Sequence, residues 1–370
     1  MTINKILLGV SLAILSSQAM AETAHDHDHH HKGDDKPWSV HIDTRTYMTE
    51  IIDADDTSEE ISDVFTHSHI SGRYEFQNKI SLNGSVILEG DPAGHAHGGE
   101  ASRTGDHLFD DHPLFIEELT LNYDDDHYGL YAGKFRPTVG RDPHDTYGWW
   151  GLFVFEDFQI REKLGAGGYA KAHIDEVGYQ KVELSSFFAD TSFLQESLLN
   201  DRDEIDKDQG GISNTEDFSS FAGQLSGELG NDHLNYYIGY AHQGNDTGDD
   251  ENRFSIGLDT HYDIRKNMTF SGMVDLSDIS HLGGESDHDR RYSTIGLQLE
   301  IDQFVMGGSF TDIHNDATEA DEAQDGHITQ YSVGYNFMNG FGADLGYQGS
   351  DEEGEEKDRI GLQLRYHADF

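Results

Sequence analysis

Short and long connections alternate without exception between the period-two segments of this chain. Apolar and polar residues alternate near 38–47, 67–76, 80–89, 119–123, 128–136, 159–171, 176–189 and 218–229. The pattern resumes near 233–241, 253–262, 268–277, 291–300, 302–311, 328–338, 340–349 and 359–370. Seven connections are short, near 77–78, 124–126, 172–175, 230–232, 263–267, 301 and 339. Eight are long, acidic and rich in His and Gly, near 50–65, 90–112, 137–158, 190–217, 242–252, 278–290, 312–327 and 350–358. A soluble sandwich has no reason to sort its loops by length. A closed barrel crossing a membrane does, because short turns gather at one mouth and long loops at the other. Runs of roughly ten residues suit a tilted crossing. The expected fold is all-β, a transmembrane antiparallel β-barrel of about sixteen strands with both termini on the short-turn side.

The faces agree with that reading. Trp38, Val40, Ile42, Thr44 and Thr46 share one face of the first run, with His41, Asp43, Arg45 and Tyr47 opposite. A barrel needs only every second strand residue to meet lipid, so 35% hydrophobic content is enough. The ends lie outside the barrel. Residues 1–21 form a signal peptide, with Lys5 as the positive start, an apolar stretch from Ile6 to Leu15, and the Ala19-Met20-Ala21 cleavage site. Residues 22–36 form a disordered His/Asp-rich tail, and 37–370 form the barrel.

Charge excludes one class of function. With 24 basic against 71 acidic residues the formal net charge is -47, which repels nucleic acid and attracts cations. There are no cysteines, so neither a disulfide framework nor thiolate chemistry is available. No Ser/His/Asp grouping has motif spacing, and G-x-S-x-G, H-E-x-x-H and P-loop patterns are missing, so an enzyme is not expected.

The third long connection carries the most chemistry. It holds Arg141, Asp142, Asp145, Glu156 and Asp157, with His144 beside them, after a strand that places Lys134 and Arg136 opposite Tyr131, Gly133 and Phe135. Strand parity sends Arg45, Arg73, Lys134, Arg136 and Arg365 into the lumen if the apolar faces meet lipid. Closure makes the first, second and last strands neighbours, so Arg45, Arg73 and Arg365 are expected on one patch of wall. Acids of the loop facing that patch would set a transverse field across a pore. Pairing of these cations with lumenal acids, which would only stiffen the wall, is the plainer alternative.

Two segments resemble a known family. Gly133-Lys134-Phe135-Arg136-Pro137 with Gly140 is similar to the G-K-F-x-P…G segment of Gram-negative outer-membrane porins, general and phosphate-selective. Glu156-Asp157-Phe158 and Arg161-Glu162-Lys163-Leu164-Gly165 resemble a porin-like subgroup. The resemblance implies a passive sixteen-stranded pore in the cell outer membrane, set in lipid and lipopolysaccharide and often a homotrimer. It also implies a third loop, residues 137–158, folded inward as the constriction. The last strand ends on Phe370 and resembles the signal read by the barrel-assembly machinery. Phosphate-selective relatives need a basic lumen, and this chain is acidic, so cation preference is expected instead.

Histidine is the second theme. His25, His27, His29, His30 and His31 in the tail, with His95, His97, His107 and His112 in the second long loop, stand among carboxylates. Imidazole with carboxylate is a zinc-type donor set, though no spacing here defines a site. No cofactor is required on this reading, and a weakly bound divalent cation, zinc or calcium, is the one ligand considered. The alternative function is accordingly a metal-capturing outer-membrane channel.

Overall fold

Alternation over these runs builds strands because each side chain in turn meets a different surroundings. In the computed structural model, residues 36–76, 79–90, 106–109, 112–149, 151–156, 158–202, 204–215, 217–230, 234–317, 325–352 and 354–370 are described. Of eighteen strands in a single sheet, two have only two residues, His107–Leu108 and Ser197–Leu198. The other sixteen form the wall. They are β1 Trp38–Ala54, β2 Ser62–Glu75, β3 Ile80–Glu89, β4 Leu114–Asp124, β5 Tyr128–Phe135, β6 Lys163–Ile174, β7 Gly178–Ala189 and β8 Ser220–Glu228. They continue with β9 Leu234–Gln243, β10 Glu251–Arg265, β11 Met268–Ser280, β12 His288–Ile301, β13 Phe304–Ala317, β14 Gly326–Asn336, β15 Phe341–Glu352 and β16 Glu355–Asp369.

Each wall strand pairs antiparallel with the next, and β16 returns to β1 in a register running from His41 opposite Asp369 to Ala54 opposite Lys357. Closure removes the free edge that an open sheet would expose. The outward positions are apolar: Leu184, Leu297, Val333 and Leu345 are each more than half exposed. The inward positions are polar yet buried, among them Thr294, Thr311, Gln330 and Gln348. A sheet with its greasy face exposed and its polar face enclosed inverts a soluble core and matches a barrel surrounded by hydrocarbon. No helix among the described residues is long and apolar enough to cross a membrane.

Strand ends depart from the sequence expectation on the long-loop side. β1 runs to Ala54 and β2 starts at Ser62, and β15 and β16 are separated only by residues 353–354. The ladder continues after the outward apolar residues stop. Acidic, Gly-rich composition therefore marks where strands leave the apolar band, not where backbone pairing ends.

Candidate functional site

The connection from Arg136 to Glu162 is broken out of the ladder by Pro137, Pro143 and glycines at positive φ, Gly140 at 83° and Gly148 at 99°. It carries a 3-10 turn at Pro143–Asp145 and one short α-helix, α1 Gly151–Glu156. Three apolar contacts tie it to inward-facing wall residues. Val139 and Ile160 pack with Phe135, Phe187, Ala222 and Ala241 of β5, β7, β8 and β9. Tyr147, Val154, Phe155 and Phe158 pack with Met273, Ile279, Tyr292, Ile313 and Ile328 of β11 to β14. Trp149 packs with Tyr47 and Phe65 of β1 and β2, whose rings stack 4.9 Å apart.

The Trp149 contact has a floor made for it. Gly346 of β15 and Gly361 of β16 stand directly opposite each other, and both lie against the indole. A Cβ on Gly361 would fall 2.6 Å from the ring, and one on Gly346 closer still. Only glycine leaves room for a side chain to lie flat on the strand backbone.

Ion pairs reinforce the packing. Arg141 Nε donates to both oxygens of Asp275, at 3.2 and 3.1 Å, and Nη1 donates to Asp259 at 3.0 Å. The hydroxyl of Tyr237 donates to the same Asp275. Burial opposes the charge on Arg141, but attraction by Asp275 and Asp259 outweighs it and holds the guanidinium above its usual pKa. On the other side, Arg136 donates to Glu117 at 2.6 Å, and Arg161 donates to Glu89 at 3.1 Å. Glu117 also lies 3.2 Å from His69, and Glu89 lies 3.4 Å from His67. The register between β3 and β4 slips between Ser85 and Val86, leaving Glu117 as the extra residue between Ile116 and Glu118. That bulge turns two consecutive glutamates to one face, where an unbroken strand would have sent one of them to lipid.

The predicted residues fall in different places. Arg45 and Arg365 stand opposite each other on β1 and β16, while Arg73 is opposite Ser39, six residues along β1 from Arg45. At about 3.3 Å per residue that separates Arg73 by roughly 20 Å, so the expected three-arginine patch is split. Each of the three meets a carboxylate: Arg45 with Asp43 at 3.1 Å, Arg73 with Glu75 at 3.2 Å and Asp124 at 2.9 Å, and Arg365 with Asp344 at 2.6 Å. Asp142 lies 3.8 Å from Arg136, Asp145 is exposed, and the pairs of Arg141 and Arg161 join loop cations to wall acids.

Lys134 is a correction. It stands opposite Leu119 and Leu164, on the outward parity of β5, while Tyr131 and Phe135 face inward against the loop. It is fully buried because the residue before β6 and the chain after β7 cover it: its ammonium meets Glu162 at 2.8 Å, Asp190 at 3.0 Å and the Leu194 carbonyl at 3.0 Å. The apolar face of this strand was the docking face, not the lipid face. Glu156 closes α1, while Asp157, His25, His27, His29, His30, His31, His95 and His97 lie outside the described residues, as do the signal peptide and most of the tail. His107 sits in the two-residue strand beside Asp63, and His112 Nε2 accepts a hydrogen bond from the Thr66 N–H at 3.0 Å. Among the described residues, the grouping able to hold a metal ion is another one, His41 with His367 and Asp369.

Sequence reasoning did not single out Asp259, Asp275, Tyr237 or the glycine pair, and it named Arg161 only as part of the porin-like segment. The two aspartates did carry a signal. Each sits mid-strand on the parity opposite apolar residues, Asp259 after Leu258 and Asp275 between Val274 and Leu276, which is the lumenal parity.

The fold defines a class: a closed, sixteen-stranded antiparallel barrel of the outer-membrane type. No family model matches the sequence, and no curated protein matches it. Among solved structures, the outer-membrane-expressed OmpT of Vibrio cholerae is similar at 11% identity and TM-score 0.53, over 90% of this chain and 99% of that one. The outer-membrane channel DcaP of Acinetobacter baumannii is similar at 10% identity and TM-score 0.53, over 90% of this chain and 97% of that one. A mutant of the Rh. blastica porin is similar at 13% identity and TM-score 0.51, over 89% of this chain and all of that one. The shared feature at these identities is the fold.

Proposed function

We propose that the protein is an outer-membrane diffusion channel for small hydrophilic solutes, with residues 136–162 lying in the lumen as its constriction. The observation that carries this reading is the set of three apolar contacts joining that connection to inward-facing residues of β1, β2, β5, β7 to β9 and β11 to β14. A segment tied to so much of the inner wall of a barrel narrows whatever passage remains. Porin and channel neighbours of the same fold support it.

The channel prefers cations. Each loop cation with a described wall partner, Arg136, Arg141 and Arg161, is matched by wall carboxylates, against a chain charge of -47. Fixed negative charge in a water-filled pore raises the local concentration of positive solutes. The reading includes export by residues 1–21 to the outer membrane of a Gram-negative bacterium, assembly through the terminal Phe370, and a homotrimer in lipid and lipopolysaccharide.

Planar-bilayer recording on refolded protein is the test. Discrete conductance steps, with a reversal potential in a potassium chloride gradient displaced toward the potassium equilibrium value, are expected. A refolded, heat-resistant barrel that passes no current would refute the channel.

A further inference from the structure

The seam where the barrel closes brings together chemistry that a diffusion channel does not use. His41 of β1 stands opposite Asp369 of β16, and Asp43 stands opposite His367, so two imidazoles and a carboxylate from the two ends of the chain share the inward face. Asp369 joins the imidazoles: His41 Nδ1 lies 2.8 Å from Oδ1 and His367 Nε2 lies 3.1 Å from Oδ2. The two rings meet edge to face with centroids 4.6 Å apart. One donor atom from each of the three residues lies within 4.8 Å of the others, and all three side chains are open to water.

We propose that His41, His367 and Asp369 form a site for a transition-metal dication of the zinc type, fastening the first strand to the last at the mouth where the chain enters the barrel. Two nitrogens and one carboxylate oxygen favour zinc, nickel or copper over calcium or magnesium, which take oxygen ligands. Three protein ligands leave the fourth tetrahedral position to water. In the absence of metal the same carboxylate serves as a hydrogen-bond partner to both rings, so the site is pre-arranged and needs only small side-chain movements to close on an ion. The neighbouring carboxylate on this face, Asp43, bonds to Arg45 at 3.1 Å.

The inference rests on the seam alone, so its fate is separate from that of the diffusion channel. The test is zinc chloride titration of the detergent-purified mature chain by calorimetry, with thermal unfolding followed in parallel. Three variants are compared: one with His25, His27, His29, His30 and His31 all replaced by alanine, and H367A and H41A/H367A each made in that tail-replaced background. The tail variant is expected to keep one zinc per chain and a zinc-dependent rise in unfolding temperature. H367A is expected to weaken that binding at least tenfold, and the double variant to abolish it together with the thermal rise. Cobalt(II) gives a second readout, a visible absorption band of tetrahedral coordination that H367A removes. Zinc binding that vanishes in the tail variant, or persists unchanged in a folded H41A/H367A protein, overturns the proposal. Should the double variant fail to fold, D369N, which leaves both imidazoles in place, must also lower the affinity.

Discussion

Replacing Trp149 by alanine tests whether the 136–162 segment is an anchored constriction. The indole is almost completely buried against Tyr47, Phe65, Gly346 and Gly361. A buried tryptophan removes up to about 250 Å² from water, which at about 25 cal/mol per Å² is roughly 6 kcal/mol as an upper bound. Measured truncations of this kind cost about 3–5 kcal/mol. The segment stays tethered through the Val139 and Ile160 contact, the contact around α1, and the pairing of Arg141, so the loss is local. The expected result is a folded barrel with larger or noisier single-channel conductance. The reciprocal change attacks the same contact from the wall. In Gly346→Ala the new methyl group occupies space taken by the indole, displacing it without shortening the loop. If both variants form heat-resistant barrels and both conduct as the unsubstituted protein does, Trp149 does not hold a constriction and the reasoning fails.

Arg141→Ala leaves Asp275 and Asp259 without their cation on a largely enclosed face, and unfolding in urea should show a loss of about 3 kcal/mol. The same variant adds uncompensated negative charge to the lumen, so the reversal potential in a salt gradient should move further toward the cation's. Lys134→Ala strips the shared partner from Glu162 and Asp190, which are mostly buried. It should cost about 3 kcal/mol on the same scale and expose residues 193–202 to limited proteolysis, with conductance little changed.

The strands were legible because lipid on one side and water on the other impose a period of two, and that period survives in the sequence wherever both solvents are present. The ladder beyond the apolar band was not legible in the same way. Between β15 and β16 the acidic stretch 350–358 reads as a loop, yet backbone pairing carries on to Glu352 opposite Glu355. Lys134 shows the other limit. Tyr131 and Phe135 form an apolar stripe, and the stripe by itself does not say whether it meets lipid or a protein segment docked inside. Arg141 could be picked out as a loop charge, but Asp259 and Asp275 lie 118 and 134 residues away, and only strand order brings them together. The pairing of Gly346 with Gly361 depends on register in the same way.

The chain's departure from the ladder after β5 also leaves the wall incomplete, and the next long connection fills the gap. β5 ends at Phe135, so the first residues of β4 lack the neighbour that lower residues have. Ser197 and Leu198 take that place, opposite Phe115 and Leu114, and leave Leu198 and Leu199 exposed on the outside. Arg202 then lies over the Phe115 ring at 3.8 Å. Glu162, the last residue before β6, binds Lys134 of the wall at 2.8 Å and Arg202 of the covering loop at 2.6 Å. One carboxylate thus ties the end of the 136–162 connection, the wall and the 190–217 connection together. A substitution in either loop that disturbs Glu162 is transmitted to the other, because the two share a single set of buried charges that must stay matched.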